Sequence, residues 1–287
     1  MFYLGCAVWA FRDWVGDFYP VGAKSGDFLQ LYGERLTAVE GNTTFYSIPD
    51  AATVDRWATQ TPETFRFCPK IPRIYSHNGA LVPHLKDAVM FLKTLQQLGP
   101  RLGPVFLQLP PSYGPDRLSD LAQFLTGWPR DEAPIAVEVR HLNWFQAPYA
   151  NQLNGLLNRL GVGRALLDTR PMYDGQVDGL DDPQLASERR KPKVPLQPVV
   201  TASFCLVRYI SHPDLNFNEP YLMEWVPRLH SWLQSGKTVY LFIHCPDEAR
   251  SPGMARHFYE ALKVTDPSLP SLPWDAIAPP ASQLSLF

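Results

Sequence analysis

Charged and amide side chains close a series of otherwise apolar runs in this chain, a placement that suits acid/base chemistry and anion binding. The run LTAVEGN ends on Glu40 and Asn42, and PIAVEVR ends on Glu138 and Arg140. A spacing of two puts each pair on one face of an extended strand. Lys70, Gln108, Asp168, Arg208 and His244 stand at comparable points of five further runs. Glu40 and Glu138 are the candidate general acid and base. Lys70, Arg140 and Arg208 would hold a phosphate or carboxylate group, with Asn42, Gln108, Asp168 and His244 as further ligand contacts. His77 and His141 offer proton transfer, and Tyr46 and Trp144, like Trp9, Trp14 and Phe45, offer rings that stack on a sugar or nucleobase.

Glu40, Glu138, His141, Asp168, His244 and Asp247 are also ligand types for a divalent cation. They show no short fixed spacing, and Lys and Arg are interleaved among them, so the expected site is metal-independent and a divalent metal is the alternative. No cofactor is expected.

Eight short β-branched or aromatic runs carry these residues: FYLGCAV, LTAVEGN, FRFCPKI, GPVFLQLP, PIAVEVR, RALLD, SFCLVRYI and TVYLFIHC. Their centres, Gly5, Val39, Phe67, Phe106, Val137, Leu166, Leu206 and Leu241, are 28 to 40 residues apart, room for a helix and two loops in each gap. Helical patterns fill most gaps, as in HLKDAVMFLKTLQQLG, where Leu85, Ala88, Val89, Leu92 and Leu95 share a face. The spacing predicts an α/β fold, a single-domain (β/α)8 TIM barrel over residues 1–263, whose strand C-termini bear the active site. Residues 171–198 are charged and proline-rich, predicting a long loop in place of the sixth helix; residues 264–287 read as a proline-rich tail.

The composition sets limits on partners. With 26 basic and 28 acidic residues and a formal charge of −2, no global positive field draws the whole surface onto nucleic acid. No run of about 20 apolar residues predicts a membrane span. The first residues lack the pattern of a secretory signal, and the four cysteines form no close pair, so a cytoplasmic location with reduced thiols is expected.

Several motifs together resemble the YecE-like family of unknown function, also called domain of unknown function 72. They are Gly5 with Trp9, Trp14 and Phe18-Tyr19-Pro20; VEGNTTFY from Val39; Trp57, Thr61-Pro62, Phe65, Phe67 and Lys70; Ser76-His77; LGPVFLQLPP from Leu102; VEVRHLNW from Val137; Asp168; and Val207-Arg208. The resemblance implies a TIM barrel and no established activity. It places Glu40, Asn42, Thr44, Tyr46, Lys70, His77, Gln108, Glu138, Arg140, His141 and Arg208 at the family's signature positions. Where many members carry His-Gly after the strand-seven arginine this chain has Ile210-Ser211, and where many carry paired asparagines after strand eight it has His244-Cys245-Pro246-Asp247.

Gln283-Leu284-Ser285-Leu286-Phe287 resembles the pentapeptide by which bacterial replication and repair proteins bind the DNA sliding clamp. It implies recruitment to that clamp, with Leu284, Leu286 and Phe287 as anchors and nucleic acid as a possible ligand. The alternatives are a sugar or phosphate hydrolase, lyase or isomerase with no DNA role, and a non-catalytic ligand-binding barrel.

Overall fold

Each of the eight apolar runs forms a strand in the computed structural model, which describes residues 1–173 and 191–277. The strands are β1 (Phe2–Cys6), β2 (Ala38–Gly41), β3 (Arg66–Pro69), β4 (Val105–Gln108), β5 (Ile135–Glu138), β6 (Gly163–Asp168), β7 (Phe204–Ile210) and β8 (Thr238–His244). All pairings are parallel: β1, β8, β7, β6, β5 and β4 lie side by side in that order, and β2 pairs with β3.

Two junctions complete the ring. Lys70 and Phe106 bridge β3 to β4. Between β1 and β2, Leu4 N donates to Thr37 Oγ1 at 2.8 Å and Thr37 N donates to Leu4 O at 3.1 Å. Gly5 permits that approach, since a Cβ there would stand 2.0 Å from Ala38 O.

Seven helices of the outer layer are described: α1 (Phe28–Gly33), α2 (Ala51–Thr59), α3 (Leu85–Leu95), α4 (Leu118–Gly127), α5 (Tyr149–Leu160), α6 (Glu219–Gln234) and α7 (Ser251–Thr265). α7 is not among the helical patterns expected from the sequence; its run opens on Ser251-Pro252-Gly253. Pro252 sits in the first helical turn, where a missing N–H costs nothing. Between β6 and β7 the described residues hold only a short 3₁₀ turn, Pro171–Tyr173. The rest of the long connection expected there lies partly outside the described residues.

Strand alternation sorts the side chains. One set packs outward against the helices and connecting turns, in clusters that also hold Trp14, Trp144 and Trp225 from those turns and helices. The other fills the barrel: Tyr3, Ala38, Cys68, Phe106, Ala136, Ala165, Leu206, Tyr240 and Phe242. Two residues further along the strands, the inward positions fall on Glu40, Lys70, Gln108, Glu138, Arg208 and His244.

The chain beyond α7 stays against the barrel as far as Ile277. Leu269 and Leu272 are buried in the same core as Leu262, and the Trp274 ring meets Phe18 edge-on at 4.8 Å. The segment expected to leave the barrel at 264 therefore contributes to it, because those two leucines bury their side chains. Gln283 to Phe287 lie outside the described residues. Among the described residues no helix is long and apolar enough to cross a membrane.

Candidate site at the barrel mouth

The inward polar layer is one connected network. Arg208 is its hub: Nε and Nη2 donate to the two oxygens of Glu40 at 2.7 and 2.9 Å, and Nη1 donates to Glu138 Oε2 at 2.6 Å. Arg140 Nε donates to the other oxygen of Glu138 at 2.7 Å, and its Nη2 to Gln108 Oε1 at 2.8 Å. Lys70 Nζ meets Glu40 Oε1 at 3.2 Å, Gln108 Oε1 at 3.2 Å and Asn42 Oδ1, three acceptors for three ammonium hydrogens. The layer rests on the Phe106 ring, with Lys70 Nζ 5.0 Å and Arg208 Cζ 5.2 Å from its centroid. Thr44 Oγ1 donates to Lys70 O at 2.6 Å, and Asn42 Nδ2 donates to Ala7 O at 3.1 Å, fixing the β2 and β3 ends that present Asn42 and Lys70.

This geometry changes the roles expected of the carboxylates. Burial works against ionising Glu40, but Arg208, Lys70 and His244 overcome it and hold the carboxyl well below the usual range. Glu138 is likewise buried, and Arg208, Arg140 and Lys70 pull it down to about 2. Both are held ionised near neutrality, so neither has a proton to give as a general acid there, and their cation partners make each a weak base. They are counter-charges that position the cations.

His244 Nε2 lies 2.9 Å from Glu40 Oε2. Burial and Arg208 push its pKa down to about 4 against the pull of Glu40. It is therefore a neutral ring donating one N–H to a carboxylate. Burial lowers Lys70 to about 7 despite Glu40, so this amine sits where it exchanges a proton at neutral pH.

The remaining expected residues divide. His77 lies at the edge of the network, half-buried, with Nδ1 2.9 Å from Ser76 Oγ and its ring edge-on to Phe45 at 5.1 Å. Burial together with Arg140, Arg73 and Lys70 pushes it down to about 4, leaving a neutral base. Tyr46 is exposed, with its ring edge-on to Phe45 at 5.1 Å. His141 accepts from Asn143 N at 3.2 Å, capping the short turn Leu142–Phe145.

Two expectations are corrected. Trp144 is fully buried between β5 and the helices and donates its indole N–H to Tyr113 O at 2.8 Å, so it offers no face to a ligand. Asp168 pairs in register with Tyr209, one residue past the inward position that Leu167 shares with Arg208. It faces the helices, accepting from Trp225 Nε1 at 2.7 Å and from Arg170 Nε and Nη2 at 2.9 and 2.8 Å.

Two residues were missed. Lys191, in the β6–β7 connection, is half-buried and within electrostatic reach of Glu40, Glu138, Arg140 and Arg208; burial lowers it to about 8. Glu248, four residues beyond β8, has a sequestered Oε1 with no hydrogen-bond partner. Both sit in loops, where no strand period marks them. Among the described residues no three of His, Cys, Asp and Glu converge as a metal-ligand set. The four cysteines are free and buried.

Comparisons with known proteins agree with the architecture. UPF0759 protein YecE of Escherichia coli (strain K12) is 38% identical over 277 residues, covering 95% of this chain and 97% of that protein. UPF0759 protein YunF of Bacillus subtilis (strain 168) is 24% identical over 282 residues, covering 92% and 95%. The crystal structure of a DUF72 family protein from Thermotoga maritima superposes with a TM-score of 0.68 at 20% identity, covering 92% of this chain and 99% of that one. The model of the family described as "Protein of unknown function DUF72" matches residues 3–276, and the chain belongs to that family.

Proposed function

We propose that the barrel mouth binds a small organic anion, bearing a phosphate or carboxylate, and transfers a proton to or from it, as an isomerase, lyase or hydrolase does. The observation that carries this reading is a surplus of cations over the two carboxylates. Arg208 alone bonds three of the four oxygens of Glu40 and Glu138. Lys70, Arg140 and Lys191 then leave positive charge at the strand C-termini, where barrels of this kind bind their ligands. Among the described residues nothing accepts from Arg140 Nη1, and nothing pairs with Lys191 Nζ. Lys70 is the proton-exchanging candidate in place of the two glutamates, and neutral His77 lies beside it.

Calorimetric titration with inorganic phosphate, followed by a panel of sugar phosphates and hydroxy acids, tests the reading. Phosphate should bind, and Arg140→Gln should weaken it about tenfold or more by removing a charged donor. The absence of binding to the native protein would overturn it.

A second reading concerns the pentapeptide Gln283 to Phe287. It follows a stretch rich in proline and serine, and its Leu284, Leu286 and Phe287 are the apolar anchors that a groove would take. We propose that it engages the DNA sliding clamp, which would make a nucleic-acid phosphate the anion to try first. Removing Gln283 to Phe287 should abolish clamp binding; undiminished binding, or none by the full chain, contradicts it.

A further inference from the structure

Glu248 is a half-buried residue whose carboxyl the network described above does not use. It opens the short turn Glu248–Arg250 between β8 and α7, four residues past His244, which itself bonds Glu40. The turn is pinned at Glu248, whose carbonyl accepts the Trp14 indole N–H at 2.9 Å. Ser251 Oγ accepts from Cys245 N at 3.0 Å, and the Ser251 hydroxyl favours the charged form of the neighbouring Glu248 carboxyl. Glu248 Oε1 is sequestered from water with no partner among the described residues. A buried carboxylate oxygen is expensive to leave unpaired, and such an oxygen beside a cationic mouth calls for a proton or a ligand.

We infer that Glu248 is the proton-exchanging carboxyl of the mouth, taking up a proton when an anion binds beside Lys191 and returning it when the anion leaves. This rests on the anion-site reading above and adds the group that couples binding to protonation. The groups facing it are consistent with that role. Lys191 from the β6–β7 connection favours its charge, while Glu40 from β2 and Asp247 from its own loop oppose it. The Cys6 thiol on β1, the Tyr32 phenol on α1 and the Cys245 thiol stay neutral, each raised chiefly by burial. Burial dominates and raises Glu248 to about 7. A bound anion adds negative potential and shifts the carboxyl further toward its protonated form.

The test is the affinity for sulfate, which does not itself titrate near neutrality, in the native protein and in Glu248→Gln. At about pH 6 the two should bind alike, because Glu248 is then protonated. At about pH 8 the native carboxylate repels the anion, and the variant should bind about fivefold tighter. Lys70 titrates in the same interval in both proteins; Lys191, which faces Glu248, holds its proton less tightly in the variant, an effect that lowers the variant's affinity and so works against the predicted gain. A gain of affinity cannot come from misfolding. Equal affinity at the higher pH would overturn the role of Glu248 while leaving the anion site standing; no sulfate binding by the native protein would overturn both. A wild-type measurement stands independently of the variant: with carboxyl-labelled glutamate, one carbon-13 resonance should titrate near neutrality and shift its midpoint upward with sulfate. The absence of any such resonance would also overturn the inference.

Discussion

Arg208 of β7 and Glu40 of β2 are 168 residues apart in the chain and meet inside the barrel through a two-pronged pair, Nε to Oε2 at 2.7 Å and Nη2 to Oε1 at 2.9 Å. The two strands belong to different hydrogen-bonded runs, so the pair, extended by Arg208 Nη1 to Glu138 of β5, ties the ring together across its interior. Arg140 completes the pairing of Glu138 and Lys70 that of Glu40, so both carboxylates are fully engaged by cations.

Arg208→Met should therefore destabilise strongly, by about 3–5 kcal/mol, because it leaves two buried carboxylates without their main partner. Adding Glu40→Gln and Glu138→Gln should recover part of that loss. Urea unfolding of the single and triple variants checks this; a single-variant loss below about 1 kcal/mol, the scale of an exposed pair, would contradict it.

Acid should unfold the protein in two stages. His244 and His77 have folded values near 4, below the unfolded imidazole value of about 6.5. Their contribution is complete above that value and is lost as pH falls toward 4. Glu138, at about 2, and Glu40 lie below the unfolded carboxylate value of about 4.3, so their contribution is lost only beneath it. Stability measured from neutrality downward should show both declines, and His244→Gln should diminish the first.

Lys70 should be a residue whose function costs stability. Its folded value, about 7, lies below the unfolded lysine value near 10.4, so its charging opposes folding at neutral pH. Lys70→Met leaves Glu40 paired with Arg208 and His244 and should have a Tm no lower than the native protein's. Its phosphate affinity should fall about tenfold. A lower Tm with unchanged affinity would make Lys70 a structural residue.

Much of this site was legible in period-two alternation. Glu40, Asn42, Lys70, Gln108, Glu138, Arg140, Arg208 and His244 all belong to the inward layer or its rim because each closes an apolar strand at the right parity. Asp168 went astray because closing the strand was taken as the mark of an inward position; in β6 the inward face is Gly163, Ala165 and Leu167, and Asp168 shares the outward face with Arg164 and Leu166. Trp144 lies past the end of β5, where parity no longer applies. The protonation of Glu40 and Glu138 was not readable from their own strands, since Arg208, Lys70 and His244 arrive from three others. Lys191 and Glu248 lie in charged loop segments that look like ordinary solvated surface.

Asp168 provides the control. It anchors Arg170 and Trp225 on the helix side of β6, outside the inward layer. Asp168→Asn should cost about 1–3 kcal/mol of stability through the weakened bonds. Phosphate affinity should stay within about twofold of native, because the site is separate. A large loss of affinity with native stability would return Asp168 to the ligand site.

Location of a bound anion is the most direct test of the central claim. Crystals soaked in selenate should show an anomalous difference peak at the barrel mouth, within hydrogen-bond reach of Arg140 and of Lys70 or Lys191, and the peak should vanish in Arg140→Gln crystals. Selenate found only on surface arginines, with none at the mouth of the native protein, would contradict the account.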